Sequence, residues 1–321
     1  MKNKLSVIAA LCALVCLITA SAQVIASARY ALSLCAELIL PSLFPFFVLC
    51  GLLNRLGFPA YLGRLLSPIA ARLFRVSGAG ASALFIGLTG GYPMGAAYIA
   101  DMRQDGLISL PEAERLLAYC NNSGPAFIVG AVGAGVFASV KAGLTLYAVH
   151  ILSAVAAGIL LRGRAFKEDG TCGTLPAVKP MNLSQALPEA VRQAVISVLN
   201  VCGFVVCFTV FAGLMDAGGF FSAAAGRLSS SLGTELHWTR ALLTGALELG
   251  SGVGAMRGLA VSPANMALAA GLLGWGGVSV HFQTMAMLAN SDIKGALHIA
   301  GRLMSACIGA VFAYLAALLI F

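Results

Sequence analysis

The chain has 321 residues, of which 60% are hydrophobic and 10% are charged, and its mean hydropathy is +0.93. This composition excludes an ordinary soluble domain. The length leaves room for about eight spans of ~20 residues each, which predicts one all-α, multi-pass protein of the cell membrane. The net charge of +8 comes from Lys and Arg in short loops between apolar runs, where they set topology, so we expect no nucleic-acid partner.

The first segment, residues 1–27, has two interpretations. A basic start, an apolar run and the triplet Ala20-Ser21-Ala22 are typical of a cleaved signal peptide. The same residues suit a first transmembrane helix, which we favour because apolar residues continue beyond Ala22. The topology predicted for the rest of the chain is the same in both cases.

The next predicted span, residues 30–53, contains two prolines and one carboxylate, Glu37. A carboxylate inside a membrane segment is costly and usually faces the bundle or a cavity, so Glu37 is a candidate for ion coupling. The alternative is a carboxylate near the interface that reaches water. Residues 54–77 follow with several arginines, and the positive-inside rule predicts that they are cytoplasmic.

Residues 84–130 contain two apolar arms, each interrupted by a cluster of helix breakers: residues 90–93 (GGYP) and 121–125 (NNSGP). Hydrocarbon cannot satisfy the backbone groups that a broken helix frees, so such breaks pack in protein or line a wet cavity. We predict that residues 80–120 form a re-entrant hairpin on the cytoplasmic side, a feature typical of a transporter's binding site. The alternative is two kinked helices packed through glycine.

The second half repeats the first after a predicted cytoplasmic linker at residues 163–182. The glycine ladder of residues 87–96 recurs at residues 245–255, and Gly274-Trp275-Gly276-Gly277-Val278-Ser279 recurs where the NNSGP cluster would fall. We therefore predict two repeats, residues 28–162 and 183–321. Counting crossings from the basic loops gives them inverted orientations, with residues 217–237 external and two opposed hairpin tips near the midplane.

The polar side chains at these tips are the candidate substrate site, because half-helix ends there present partial charges to a solute and a coupling cation. Glu248 is the most informative, since a carboxylate in a glycine-rich apolar run could carry a proton, bind a solute or ligate sodium; the structural alternative is capping by backbone amides. His281 could equally be a satisfied core histidine. The substrate-binding candidates are Thr89, Gly91, Tyr92, Asn121, Asn122, Ser123, Glu248, Ser251, Ser279, His281 and Gln283, and the ion-coupling candidates are Glu248, Glu37 and Asn122.

No enzyme signature is present in the sequence, which lacks a P-loop, a GxSxG and an HExxH motif. Eight of the nine cysteines lie in or at the end of apolar runs and no CxxC occurs, so a zinc site or a disulfide framework is not expected. We expect no enzymatic activity, no metal and no cofactor. Whether Na⁺ or H⁺ is the coupling ion is left open.

Four stretches resemble the YlbJ/SpoVV-type sporulation integral membrane proteins: PSLFPFF (41–47), GYPMGA (91–96), ERLLAYCNNSGPAFIVGAVG (114–133) and GWGGVSVHFQ (274–283). The resemblance covers roughly residues 30–320. It implies two nucleoside-recognition (Gate) domains, the module shared with concentrative nucleoside transporters and the membrane part of ferrous-iron transporters. It further implies membrane transport and, in the sporulation branch, export of dipicolinate from mother cell to forespore. By resemblance, residues 121–125 would form one broken-helix site, and Gly277, Ser279, His281 and Gln283 would form its partner.

Together these features predict secondary transport of a small anionic or aromatic solute, dipicolinate or nucleoside-like, by a protein whose partners are membrane lipid and that solute. The alternative is a non-transporting membrane scaffold or gate subunit that acts beside a partner protein. A homo-oligomer and a sporulation membrane partner are both left open.

Overall fold

The computed structural model describes residues 2–162 and 181–321, so most of the predicted linker 163–182 lies outside the described residues. Within the described ranges every regular element is a helix. The helices of these ranges are α1 (Lys2–Thr19), α2 (Ser21–Arg55), α3 (Phe58–Phe74), α4 (Gly78–Gly90), α5 (Met94–Gln104), α6 (Leu110–Cys120), α7 (Ala126–Val136), α8 (Val140–Leu161), α9 (Leu183–Ala217), α10 (Phe220–Leu232), α11 (Leu236–Leu247), α12 (Leu249–Gly254), α13 (Pro263–Trp275), α14 (Gly277–Met287) and α15 (Ala296–Ile320). α7 is π-helical, and α2 contains a π-helical stretch at Cys35–Ile39.

Four of the described helices, α2, α8, α9 and α15, are long and apolar enough to cross a membrane. A fifth crossing results if α3 and α4, which are bent by 94° relative to each other, form one span. These helices confirm the prediction of an all-α, multi-pass membrane protein. The spans are fewer than the eight for which the length leaves room, because residues 78–136 and 236–287 form short helices of 6 to 13 residues.

The helices from α2 to α8 and those from α9 to α15 follow the same order. Each set starts with a 35-residue helix and ends with a long apolar one. Between them lie two interrupted segments, α4–α5 and α6–α7 in the first set and α11–α12 and α13–α14 in the second. Two repeats over residues 28–162 and 183–321 would give this order. Their boundaries, and the re-entrant course of the short helices, stay predictions.

The first and last long helices of one set run antiparallel to their counterparts in the other. α2 packs on α9 with Gly51 against Ala190 near one end and Ser27 against Gly213 near the other. α8 packs on α15 in the same manner, since the Lys141 ammonium donates to the Ile320 carbonyl at 3.1 Å while Ser153 lies against Gly309. Corresponding helices that point in opposite directions are what an inverted pair of repeats requires.

The interruptions have local causes in the sequence. Gly91 adopts a φ of +75° and is followed closely by Pro93, whose ring prevents the helix from continuing. Asn121 and Glu248 adopt extended backbone conformations, with ψ of 94° and 115°. Gly276 has a φ of +86°, which favours glycine. We refer to residues 91–93, 121–125, 248 and 276 as the four breaks.

Buried apolar side chains form two clusters. The larger one surrounds the breaks and joins α2, α7, α9 and α13 through residues such as Phe47, Ile128, Val205 and Leu273. The smaller one fills the space between α3, α5, α6 and α8. The breaks therefore lie inside protein and not against lipid.

Candidate functional site

Within each half, the two breaks are in direct backbone contact. A methyl group on Gly91 would stand only 2.8 Å from the amide nitrogen of Gly124. In the second half, a methyl group on Gly277 would stand 3.0 Å from the amide nitrogen of Leu249, beside Glu248. Glycine is required at these positions because any Cβ would separate the two broken segments.

The breaks of one half also contact the other half. The Tyr92 hydroxyl donates to the carbonyl of Leu273 at 3.3 Å, and Nδ2 of Asn121 donates to Oγ1 of Thr284 at 2.8 Å. These hydrogen bonds are buried. All four breaks consequently meet in one place, and the structure brings together residues that are 163 and 181 positions apart in the sequence.

A small cavity of about 50 Å³ lies at this meeting point, and we call it the central cavity. Its volume admits a few water molecules or an ion. Pockets that bind organic ligands are larger, about 300–1,000 Å³, so an aromatic solute does not fit here in this conformation. The polar residues that line the central cavity are Tyr92, Ser123, Glu248 and Gln283, and the apolar ones are Ile39, Leu43, Phe127, Val201, Val205, Leu249 and Val280.

Two larger clefts flank the central cavity. The first cleft has a volume of about 500 Å³ and contains Asn54, Arg55 and Asp101. The second cleft has a volume of about 530 Å³ and contains Asp216 and Arg240, which form an ion pair at 2.8 Å. Both volumes are in the range of ligand pockets.

The clefts lie at opposite ends of the molecule. Along α2, residues 23–30 line the second cleft, Ile39 and Leu43 line the central cavity, and residues 47–55 line the first cleft. A helix rises about 1.5 Å per residue, so residues 30 and 47 are roughly 25 Å apart along its axis.

The order is reversed along α9, as its antiparallel direction requires. Residues 193–197 line the first cleft, Val201 and Val205 line the central cavity, and residues 209–216 line the second cleft. The central cavity therefore separates two clefts that approach it from opposite directions.

Glu248 is only 1% exposed and faces the central cavity from the second half. Its two carboxylate oxygens accept hydrogen bonds from the amides of Gly250, at 2.9 Å, and Ser251, at 2.5 Å. The carboxylate thus caps the N-terminus of α12, which was the structural alternative at this position. Capping and cavity lining coexist, because the cap fixes the carboxylate at the cavity wall.

Residues 121–124 of the first-half break are buried and only partly hydrogen-bonded. Asn122 donates from Nδ2 to the Tyr119 carbonyl at 2.8 Å, and the amide of Ser123 donates to Nε2 of His150 at 3.1 Å. The side-chain oxygens Oδ1 of Asn121 and Oγ of Ser123 have no hydrogen-bond partner among the described residues. Unpaired buried acceptors and hydroxyls are costly, and they are common where a ligand binds.

The second-half residues Ser279, His281 and Gln283 lie on α14 and are buried. Gln283 donates from Nε2 to Oγ of Ser279 at 3.1 Å. His281 contacts His298 through its Nδ1 at 3.1 Å, and Nδ1 of His298 contacts the carbonyl of Leu117 at 3.2 Å. Because a carbonyl only accepts, two neutral rings arranged in this way leave Nε2 of His281 as an unpaired acceptor.

The three remaining predicted site residues lie outside the lining of the central cavity. The Glu37 side chain is exposed and accepts a hydrogen bond from Ser33 at 2.7 Å. It is two positions from the cavity-lining Ile39 and so lies on roughly the opposite side of α2, and its assignment to the coupling site is not supported. Thr89 is half-buried and donates to the Phe85 carbonyl of its own helix at 2.7 Å, and it does not line the central cavity.

Ser251 lies next to Glu248 and shares a 2.9 Å hydrogen bond with Thr209, at the second cleft.

Sequence analysis missed Arg302, the largest fully buried side chain of the described residues. Its Nε donates to the Gly274 carbonyl and its Nη1 donates to Oδ1 of Asn122, both at 2.8 Å. The ring of Tyr92 lies 5.5 Å from the guanidinium carbon. The signal that would have identified Arg302 is a charged residue within a long apolar run, residues 296–320.

Comparison with known proteins fits this architecture. A family description, "Gate: Nucleoside recognition", matches residues 36–221, more than half of the chain and including the breaks at 91–93 and 121–125. This chain belongs to the Gate nucleoside-recognition family. The match crosses the predicted linker, so it does not fix the boundary between the two repeats.

The Gate-family chain is also similar to a curated protein of Bacillus subtilis (strain 168), the "Sporulation integral membrane protein YlbJ". The two are 32% identical over 314 residues, which cover 90% of this chain and 76% of that protein. No solved structure matches the chain. Its helices and this relative identify a multi-pass integral membrane protein that is related to a protein of sporulation.

Proposed function

We propose that this Gate-family protein is a secondary transporter of a small anionic or aromatic solute, dipicolinate or nucleoside-like, in a membrane that functions in sporulation. The observation that carries the proposal is the arrangement of two clefts of about 500 Å³ at opposite ends of the molecule around a central cavity of about 50 Å³. A transporter that exposes one site alternately to two sides needs such an arrangement.

The transport cycle that we infer opens the central cavity toward one cleft at a time. In the present conformation the breaks contact one another and leave no room for an organic solute, so the conformation is closed at the centre. If the region around the Gly91–Gly124 contact moves away from α2 and α9, the central cavity joins one cleft. Because α2 and α9 are antiparallel, the corresponding movement of the second-half breaks would join the cavity to the other cleft.

The breaks supply the binding groups in this proposal. Solute polar atoms would take the place of missing partners at Oδ1 of Asn121 and Oγ of Ser123. Gln283 and Tyr92 would complete the polar wall of the opened cavity. Glu248 would carry the coupling proton or bind the coupling sodium ion, since its carboxylate lies at the same wall.

The proposal is tested by purified protein in liposomes, with uptake of labelled dipicolinate and of nucleosides measured with and without Na⁺ and H⁺ gradients. We expect saturable uptake of one solute class that a gradient of one of the two ions drives above equilibrium. Protein-free liposomes provide the control. Absence of flux for every solute under every gradient would contradict transport and favour the alternative, a membrane scaffold or gate subunit that needs a partner protein.

A further inference from the structure

Arg302 presents a buried charge that nothing in the described residues neutralises. Its side chain is 0% exposed, and no Asp or Glu of residues 2–162 and 181–321 forms an ion pair with it. Its two hydrogen-bond acceptors, the Gly274 carbonyl and Oδ1 of Asn122, are both uncharged. A charge buried in a membrane protein is costly unless it is paired, and such residues usually belong to a solute or ion pathway.

One donor group of Arg302 is unused. Within the part of the chain that the structure describes, Nη2 has no hydrogen-bond partner and is inaccessible to solvent. A guanidinium forms its strongest contacts with two parallel bonds to a carboxylate, and here only one of its terminal nitrogens is bonded, to a neutral amide oxygen. One donor of Arg302 therefore stays available to a further acceptor.

Arg302 lies directly behind the wall of the central cavity. Asn122, which accepts from Nη1, is followed by the cavity residue Ser123, and Tyr92 faces the guanidinium with its ring while it lines the cavity. One layer of side chains therefore separates the charge from the place where the four breaks meet. Across one layer of buried side chains a unit charge acts strongly on an anion.

The opposite charge lies across the cavity. The Glu248 carboxylate faces the same space from the second half and is fixed by two amides. An anion in the central cavity is attracted by Arg302 and repelled by Glu248 unless Glu248 is protonated or binds a cation. The two charges together would make entry of an anion depend on entry of a cation.

We propose that Arg302 is the specificity-determining residue for the solute and selects molecules that carry a carboxylate at the four breaks. This inference rests on the proposed function in that it names the chemical class of the transported solute. It differs from a purely structural role, in which Arg302 only joins the break at 121–125 to the end of α13.

The test uses two probes of the same shape and different charge, pyridine-2,6-dicarboxylate and pyridine-2,6-dicarboxamide. Equilibrium binding of each probe to purified protein in detergent is measured separately from flux in liposomes, for the native protein, R302K and R302Q. R227Q serves as the control, because Arg227 is exposed and lies on α10, outside the residues that line the clefts and the central cavity.

We expect the native protein to bind the dicarboxylate more tightly than the dicarboxamide, R302K to keep this preference in weakened form, and R302Q to lose it with a drop in dicarboxylate affinity of roughly tenfold or more. If Arg302 were only structural, R302Q would instead bind both probes with equally reduced affinity. Equal binding of the two probes by native protein, no binding of the dicarboxylate, or an unchanged preference in R302Q would each overturn the inference.

The binding and flux readings separate the two proposals. A charge preference that disappears in R302Q without any flux would support the carboxylate site and contradict transport. Flux with the same probe preference in native protein and R302Q would support transport and contradict the role of Arg302. If R302Q does not fold, as judged by its thermal unfolding, the affinities for the two probes are compared between native protein and R302K. A weakened preference for the dicarboxylate in R302K would support the role of Arg302, and an unchanged preference would contradict it.

Discussion

Glu248 combines two roles that sequence reasoning treated as alternatives. It caps α12 through two backbone amides, and the cap holds its carboxylate at the wall of the central cavity. A buried carboxylate that changes its proton or cation occupancy during transport would alter the charge that a solute meets. In the proposed transport cycle the side chain would link the stability of the second-half break to ion coupling.

For E248Q we expect loss of gradient-driven accumulation, with folding and passive exchange largely intact. Glutamine keeps the shape of the side chain and still accepts from one of the two amides, so the free energy of unfolding should fall by no more than about 1–3 kcal/mol. Accumulation and counterflow are measured in the same liposomes. E235Q is the matched control, since Glu235 is exposed at the start of α11. Loss of folded E248Q protein without a separate transport defect would mean that Glu248 is structural.

The sequence locates the charged residues of the apolar segments but does not show which of them face the interior of the helix bundle. One rule, that a charge inside an apolar run is usually functional, applies to the sequence positions of Glu37, Glu248 and Arg302. Glu37 and Glu248 were predicted as site residues, but Glu37 faces outward on α2. Arg302 was not predicted, because its helix, α15, is uninterrupted and sequence analysis searched the interrupted segments. The direction in which a helical side chain points depends on the neighbouring helices, and one sequence does not give them.

The glycines of the short helices determine how closely the breaks approach. A methyl group on Gly87 of α4 would lie 1.4 Å from the carbonyl oxygen of Cys120, at the end of α6. Gly95 of α5 contacts the same carbonyl. Gly87 and Gly95 therefore form a packing surface that contacts the chain directly before the break at 121–125.

G87A should therefore destabilise the protein and impair transport. The added methyl group collides with backbone and not with a movable side chain, so the cost in free energy of unfolding is expected at the upper end of the about 1–3 kcal/mol typical of overpacked cores, or above it. G203A is the control, because a methyl group at that position on α9 would have no described atom beyond its own helix backbone within 4 Å, and alanine there should be neutral or stabilising by about 0.5–1 kcal/mol. Thermal unfolding in detergent gives both values. Equal stability of G87A and G203A would contradict the packing role.

The positions of three breaks follow from residue type, since glycine, proline and asparagine clusters interrupt helices for local steric reasons. The fourth, at Glu248, was predicted as a tip residue from its charge, and its extended backbone was not foreseen. The π-helical course of α7 and the shortness of α12 were not predicted either. They depend on the fit of each broken segment to the opposing half.

At the scale of the whole molecule, antiparallel pairing of α2 with α9 and of α8 with α15 gives the protein two similar ends. Each end has a cleft of about 500 Å³, and the central cavity between them is about ten times smaller. The inverted order was predicted from basic loops and recurring glycines. The two clefts were not, because they arise from the packing of residues far apart in sequence.

The measurement that tests this account most directly is the labelling of two single cysteines, A97C in the first cleft and A255C in the second, in a background without native cysteines. Ala97 and Ala255 occupy similar positions after the first break of each half and are half-buried. A membrane-impermeant thiol reagent is applied to one side of the membrane at a time, with and without the transported solute. We predict labelling of the two positions from opposite sides, with the solute raising one rate and lowering the other. Labelling of both positions from the same side would contradict the inverted arrangement and, with it, alternating access through the four breaks.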